Sequence, residues 1–515
     1  MASFNNQIRK FFKANFRGTG EERTRLAALL DAALGRVEFG APVESYEQLH
    51  DVLFFARLLE RAERVEGLRE AHERGERAFS VALSLTRRCG NACRHCSTDA
   101  RLNPRSGHVG PPDVPAGDLR EALREACPSL KTLHVSCEGD PLYYEGGGSE
   151  SSWTAADAVR EAARAGAPQL SFQHFPPPSA KLPLLERVVD SWLAASGGRT
   201  FFPQVSFNLY SPRAGLRRVA ARNDETSWTV LALPGIFFPD EALGGLPAAR
   251  ERLEQAAAAL KSLAGHLAEL ETEEEFERSF AATWEVFASS GGVGGEKNVR
   301  RAWRAFWRFL RDTVATVEVY ASRGIDVHFE VRGDGVGPHT NLAAVRGVLD
   351  SVLSALADRR PDLGLSRCEA CSRVHYHHTA GSTVPLGRAS ALFPGGRRLA
   401  ASFYEDHVNV NSHLYLCPNW GSEGSMTFDT AGFPQLCYSN VALMAGIRNE
   451  RGPSLYRDGF PMVVELYLRY WERRAAFFLT HARELAGNLP NGKYCPLDLF
   501  KEAVGSFGRA RTPSR

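Results

Sequence analysis

Lysine is scarce in this 515-residue chain, with eight residues against 54 arginines, and net charge is nearly absent at +2. A balance of 62 basic and 60 acidic residues leaves no global field that would point to nucleic acid or an anionic membrane. The arginine excess accompanies abundant alanine and glycine, so we read it as genomic base composition rather than phosphate binding. Long apolar runs are missing too: no stretch of 18 apolar residues occurs, and Phe11-Phe12 sits among Arg9, Lys10, Lys13 and Arg17 without an apolar core. Neither a membrane span nor an export signal is therefore expected. Cysteine is sparse, ten residues in all, too few for a disulfide scaffold. A reducing, cytoplasmic setting is the expectation, and it turns attention to cysteine spacing. Cys89, Cys93, Cys96, Cys127 and Cys137 lie early, and Cys368, Cys371, Cys417, Cys437 and Cys495 lie late, with none between. That split predicts two cysteine-using sites. What remains is ordinary: 43% hydrophobic and 24% charged residues, long enough for a large core and about three domains.

Hydrophobic periodicity predicts helix over 1–78, where Leu26, Leu29, Leu30, Ala33 and later Leu53, Phe54, Leu58 and Leu59 keep helical spacing. From Phe79 strands alternate with helices. The strands expected are Phe79–Thr86, Thr132–Cys137, Gln169–His174, Gln204–Tyr210, Trp228–Leu233 and Ile325–Arg332. Amphipathic segments are expected at Asp118–Ala126, Ala155–Ala165, Leu182–Ala195 and Pro212–Ala221, with a long helical stretch near 240–322 broken at Ser289–Gly292. Repeated strand–crossover–strand units call for parallel pairing, in an open doubly wound sheet or a barrel. In both, sites gather at the carboxyl ends of the strands. The domains read as a helical extension at 1–78, an α/β domain at 79–345, a linker with the Cys368-Glu-Ala-Cys371 segment at 346–400, and a small α+β domain at 401–515 with one late helix near Val463–Ala486.

The first strand runs into Thr86-Arg-Arg-Cys89-Gly-Asn-Ala-Cys93-Arg-His-Cys96. Thiolates are the soft ligands of iron–sulfur clusters. Three on one loop leave a fourth iron open; a zinc knuckle and three incidental buried thiols are the other readings. The loop closely resembles the signature of the radical S-adenosylmethionine (SAM) enzymes. The resemblance implies a partial (β/α)6 barrel over about 79–335. It also implies a 4Fe–4S cluster on Cys89, Cys93 and Cys96, with SAM chelated to the open iron and cleaved by the cluster's electron to a 5′-deoxyadenosyl radical. In that family the residue before the last cysteine, here His95, touches the adenine. The second expected strand ends in Cys137-Glu138-Gly139-Asp140-Pro141, similar to the family's Gly-Glu-Pro motif with aspartate for glutamate. Glu138, Gly139, Asp140 and Pro141 would then hold the SAM ammonium, and Ser206 and Asn208 of the fourth strand its carboxylate and ribose. Ser206 and Asn208, like His174 and Arg332 at the ends of the third and sixth strands, are weaker candidates, as apt to cap a strand or satisfy a loop carbonyl as to bind. Cys137 reads better as a buried small residue than as a catalytic one.

Among the later cysteines, Cys417, the turn Phe428-Asp-Thr-Ala-Gly432 and Cys437 resemble the opening of the SPASM and Twitch auxiliary-cluster domains. That resemblance implies an auxiliary 4Fe–4S cluster on Cys417, Cys437 and Cys495. The full SPASM cysteine series and the closing Twitch pair are absent. The fourth ligand is then Cys368, Cys371, another group or none. Cys368, Cys371, His375, His377 and His378 also make a small zinc site conceivable, though the spacing is shorter than in classical fingers. The expected function is a radical SAM oxidoreductase acting on a ribosomally made peptide or protein side chain by oxidation, cross-linking or epimerisation. The alternatives are dehydrogenation or epimerisation of a sugar- or aminoglycoside-type metabolite and, more remotely, a non-catalytic metal-binding protein. The expected partners are the substrate and a reductant such as flavodoxin or ferredoxin, with neither nucleic acid nor membrane.

Overall fold

The computed structural model describes residues 64–91, 93, 100, 102, 111–136, 138–147, 152–209, 211–222, 227–232, 246–289, 295–331, 341–365, 374–378, 423–434 and 452–480. His95, Cys96, Cys137, Arg332, Cys368, Cys371, Cys417, Cys437 and Cys495 lie outside these residues, as does the helical stretch expected before residue 64. The chain divides into two compact units, Val81–Ala401 with Thr427–Ala431, and Met1–Ser80 with Ser402–Met426 and Gly432–Arg515.

In the larger unit, β1 (Phe79–Leu83), α1 (Ala116–Ala126), β2 (Leu130–Val135), α2 (Ala155–Arg164), β3 (Gln169–His174), α3 (Leu182–Ser196) and β4 (Thr200–Phe207) alternate as the periodicity predicts. An antiparallel pair follows, β5 (Arg217–Arg222) and β6 (Ser227–Ala232), then the helices α4 (Leu246–Glu269), α5 (Glu273–Ser289) and α6 (Glu296–Ala321). The unit continues with β7 (Val327–Val331), α7 (Asn341–Arg359) and β8 (Val374–His378), and β9 (Ser425–Phe428) returns from far along the chain. The main sheet has the order β8-β7-β4-β3-β2-β1-β9. The pairs β2–β3, β3–β4, β4–β7 and β7–β8 are parallel, which long crossovers permit and short turns do not. The molecule is thus α/β around a parallel sheet whose first six strands follow chain order once β5 and β6 are set aside. No helix among the described residues is long and apolar enough to cross a membrane.

Three sequence expectations change. The segment 212–221 is not a crossover helix: Arg217–Arg222 pairs antiparallel with Ser227–Ala232 in a separate two-stranded sheet. Only four residues join the two strands, too short for a parallel crossover, and pairing with β6 overrides the helix propensity of Arg and Ala. Trp228 therefore belongs to this pair, and the sixth main-sheet strand is β8, inside the segment 346–400 read as a linker. Finally, the turn within Phe428–Gly432 follows β9, a strand that the sequence reading did not include. The bonds Ser80 N–H to Gly424 O (2.8 Å) and Ser84 N–H to Phe428 O (3.1 Å) advance together along both segments, so β9 extends the sheet at the edge of β1.

The sheet has unlike faces because side chains alternate along a strand. Phe172 and His174 of β3, Phe201 and Phe207 of β4 and Phe329 of β7 face the helix layer. There Phe207 meets Phe309 of α6 (5.6 Å between ring centres) and Phe201 meets Tyr320 (6.2 Å). Helix α6 earns this position by its pattern: Val299, Trp303, Phe306, Leu310, Val314, Val317 and Tyr320 recur at helical spacing and are buried. At the amino end of the sheet, Gly197 (φ +63°) ends α3, and the Arg199 guanidinium donates to the carbonyls of Ser196, Ala167, Ala163 and Ala195. The guanidinium thus adds a charged donor where the last carbonyls of a helix run out of intrahelical partners, although Ala163 O also accepts the Gly166 N–H (3.1 Å).

In the smaller unit the helical residues 64–73 and α9 (Phe460–Thr480, after the short α8, Leu455–Asp458) carry the core. Arg69 bridges Glu465 and Glu472, and Phe79 packs on Phe460 and stacks on Trp471. Gly432 (φ +77°) accommodates a tight turn where a Cβ would come within 2.6 Å of the Tyr456 ring.

Candidate functional site

The loop after β1 is fixed on two sides before its cysteines begin. On one side, residues 111–114 lie antiparallel to it. Arg87 N–H donates to Pro112 O (2.7 Å), Val114 N–H to Leu85 O (3.0 Å), and the Arg88 guanidinium to Asp113 (2.7 Å). On the other side lies the turn after β2. Asp140 N–H donates to Arg88 O (2.9 Å), and Gly139 sits so close that a Cβ there would be 2.5 Å from both Arg88 O and Thr86 O. Backbone cannot yield as a side chain does, so only glycine fits. The two sequence motifs, expected together from the resemblance, are thus in direct backbone contact.

Cys89 and Cys93 are both buried and their sulfurs accept amide hydrogens. Asn91 donates to Cys89 Sγ through its main-chain N–H (3.5 Å) and its side-chain Nδ2 (3.6 Å). Asn208, one residue past β4, donates from Nδ2 to Cys93 Sγ (3.4 Å). Asn208, expected from the resemblance to meet SAM, thus meets a cysteine sulfur of the first group. The Asn91 end of the loop is held from below: Ser211 Oγ donates to Asn91 O (3.0 Å), and Arg213 Nη1 donates to Asn91 Oδ1 (2.8 Å).

The carboxylates of the second motif turn inward. Glu138 forms a buried ion pair with Arg87 (3.1 Å) and accepts the Thr430 N–H (3.4 Å), so it braces the loop and the turn after β9. Asp140 accepts from Leu142 N–H (3.1 Å) and caps the turn Pro141–Tyr143, in which Pro141 and Leu142 are buried. Burial pushes the Asp140 carboxyl up to about 7, against the lowering effects of the Leu142 N–H, Arg213, the Phe175 N–H and Lys181. Burial likewise raises Asp312 of α6 to about 6, opposed by Arg213, which it binds at 2.6 Å.

Ser206 lies two residues before Asn208 and on the same face of β4. That face is polar: Ser206 donates to Glu330 of β7 (3.2 Å), its register partner, and Gln173 of β3 donates to both Ser206 (3.3 Å) and Glu330. His174 points the other way. Its Nε2 meets the Tyr320 hydroxyl (2.7 Å) in the helix layer, and burial lowers its pKa to about 4, so it is a neutral core histidine. A cleft of about 550 Å³ between α2 and α3, lined by Arg160, Arg164, Arg187 and Asp190, lies toward the carboxyl ends of those helices and hence at the amino end of the strands, away from the cysteines.

The structure thus brings Cys89, Cys93, Glu138, Gly139, Asp140, Pro141 and Asn208 to one end of the sheet, with Ser206 just beneath. Among the described residues no three His, Cys, Asp or Glu side chains converge as a metal site, Cys96 being outside them. Sequence reading missed Asn91, Gln173, Arg213, Asp312 and Glu330. Asn91 stood inside the cysteine loop and Glu330 at a strand end, where they could have been picked out; Asp312, on a long amphipathic helix, carried no signal. No protein-family model matches the chain, and no curated protein matches it.

Proposed function

We propose that this chain is a radical SAM enzyme whose catalytic unit is a partial (β/α)6 barrel of β1, β2, β3, β4, β7 and β8. The observation that carries this reading is the backbone contact of Gly139 with Thr86 and Arg88, which joins the cysteine loop to the Glu138-Gly139-Asp140-Pro141 turn at the carboxyl ends of adjacent strands. The donor set fits the group: Cys89 and Cys93 are buried soft ligands with amide N–H groups on their sulfurs, and Cys96 supplies the third thiolate. When bound, the cluster supplies an electron that cleaves SAM to methionine and a 5′-deoxyadenosyl radical able to take a hydrogen atom from substrate.

The chain's own residues bind and orient. Asn91 and Asn208 hold the sulfurs by N–H donation, and the carbonyls of the 138–141 turn, with the Asp140 carboxylate, offer acceptors to the SAM ammonium. A parallel sheet covered on both faces is hydrophobic on both. Here Gln173, Ser206 and Glu330 hydrogen-bond across three strands on the face opposite the helices, as suits the lining of a polar space where substrate is oriented. A ribosomally made peptide or protein side chain is the substrate class we favour. The polar triad supports a second reading, a hydroxyl- or amine-bearing metabolite. Cys417, Cys437 and Cys495 complete the proposal as ligands of an auxiliary 4Fe–4S cluster.

The test is anaerobic reconstitution followed by SAM and dithionite, with 5′-deoxyadenosine measured. Wild type should release it, and the chain with Cys89, Cys93 and Cys96 all changed to alanine should not. Undiminished release by that variant would refute the assignment. Mass shifts with candidate peptides against candidate metabolites separate the two substrate readings.

A further inference from the structure

We infer that Arg213 is a positioning residue that sets the hydrogen bonding on the sulfur of Cys89 by fixing the amide of Asn91. This rests on the radical SAM reading, since its consequence falls on the cluster that Cys89 would hold. A guanidinium only donates, so the Asn91 atom facing Arg213 Nη1 at 2.8 Å must be the amide oxygen. The amide nitrogen is thereby turned to Cys89 Sγ, at 3.6 Å. Without the arginine, the amide could flip and present its oxygen to a negatively charged sulfur, a repulsive contact.

Arg213 is itself immobilised from two other parts of the fold. Nη1 also donates to Pro176 O in the loop after β3 (3.0 Å), and Nη2 donates to Asp312 on α6 (2.6 Å). Ser211 completes the clamp. Its hydroxyl accepts the Arg213 N–H (3.3 Å) and donates to Asn91 O (3.0 Å), so the main chain that presents the second N–H to Cys89 is pinned as well. The loop after β3 and α6 thus fix Arg213, Arg213 and Ser211 fix one asparagine, and the asparagine aims two N–H groups at one sulfur. Hydrogen bonds to ligand sulfurs favour the more negative, reduced form of an iron–sulfur cluster, and outer residues that orient them tune its potential. The relay Asp312–Arg213–Asn91–Cys89 therefore holds the cluster at a higher potential than the same thiolates would without it, easing its reduction by the electron donor.

The experiment is an EPR-monitored redox titration of the reconstituted full chain, with the three tail cysteines changed to alanine so that one cluster is observed. Asn91→Leu removes the amide donor with little change in shape, and Arg213→Met removes the clamp. Both should shift the midpoint potential to more negative values with iron content unchanged. The double variant should be no more negative than Asn91→Leu alone, because the arginine acts through the asparagine. A wild-type potential in Asn91→Leu would overturn the inference, whatever Arg213→Met does to folding. So would additive shifts in the double variant, which would mean that Arg213 acts by its own charge. A chain with Asn91 and Arg213 intact that assembles no cluster would refute the proposed function, and this inference with it.

Discussion

Asp140 offers a quantitative test of the geometry that needs no substrate. The residue is 1% exposed, and burial raises its pKa from 3.8 to about 7. A carboxyl whose folded-state pKa is raised stabilises the fold while it can stay protonated. That contribution is fully present below about pH 4 and is lost as pH rises through about 7. A shift of about 3 units is worth about 4 kcal/mol over the whole range at 1.36 kcal/mol per unit. Between pH 5 and pH 8 the linkage relation assigns about 2–3 kcal/mol of it. Asp140→Asn keeps an oxygen for the Leu142 N–H and removes the titration. Its stability relative to wild type should therefore rise by about 2–3 kcal/mol from pH 5 to pH 8, measured by urea unfolding at each pH. Asp312 and His174 titrate in the same window but are present in both proteins, so they cancel in the difference. The variant should also bind SAM about ten- to a hundredfold more weakly, as expected when a charge-assisted hydrogen bond worth about 1.5–3 kcal/mol is lost. A stability difference independent of pH would refute the buried, weakly compensated carboxylate.

Gly139→Ala should destabilise the fold by about 1–3 kcal/mol and depress iron incorporation, because its Cβ would press on two backbone carbonyls; unaltered iron per chain would contradict the close approach. Arg199→Ala leaves carbonyls at the ends of α2 and α3 without their charged donor, and urea unfolding should show a loss of about 2–4 kcal/mol; a change under about 0.5 kcal/mol would dismiss the staple. Replacing Cys417, Cys437 and Cys495 together should lower iron from about eight to about four per chain while SAM cleavage persists, and about four irons in the unaltered chain would remove the auxiliary cluster from the proposal.

Much of the local architecture was legible in the residues. β3 runs over Gln169–His174 as its pattern indicates, and α2 and α3 match to within a residue or so at their ends, because periods of 2 and 3.6 are carried by neighbours in sequence. The cysteine loop after β1 and the turn after β2 were legible for the same reason: each motif is continuous in the chain, and the parallel alternation places both at the carboxyl ends of strands. Propensity misled at Arg217–Arg222, whose arginines and alanines favour helix when alone but pair with β6 when Ser227–Ala232 lies beside them. Nothing local announced that β8 and β9 would flank the sheet, since a strand's partner depends on which edge is open after the rest has folded. The same holds for the site's supporting network. Arg213 meets Asp312 across 99 positions and Glu138 meets Thr430 across 292, and no short-range pattern encodes such pairs. Periodicity and motif chemistry therefore determined the elements and the cysteine loop that the proposed function rests on. Tertiary structure decided which distant side chains brace that loop, because hydrogen-bond partners are selected by proximity after folding rather than by order along the chain.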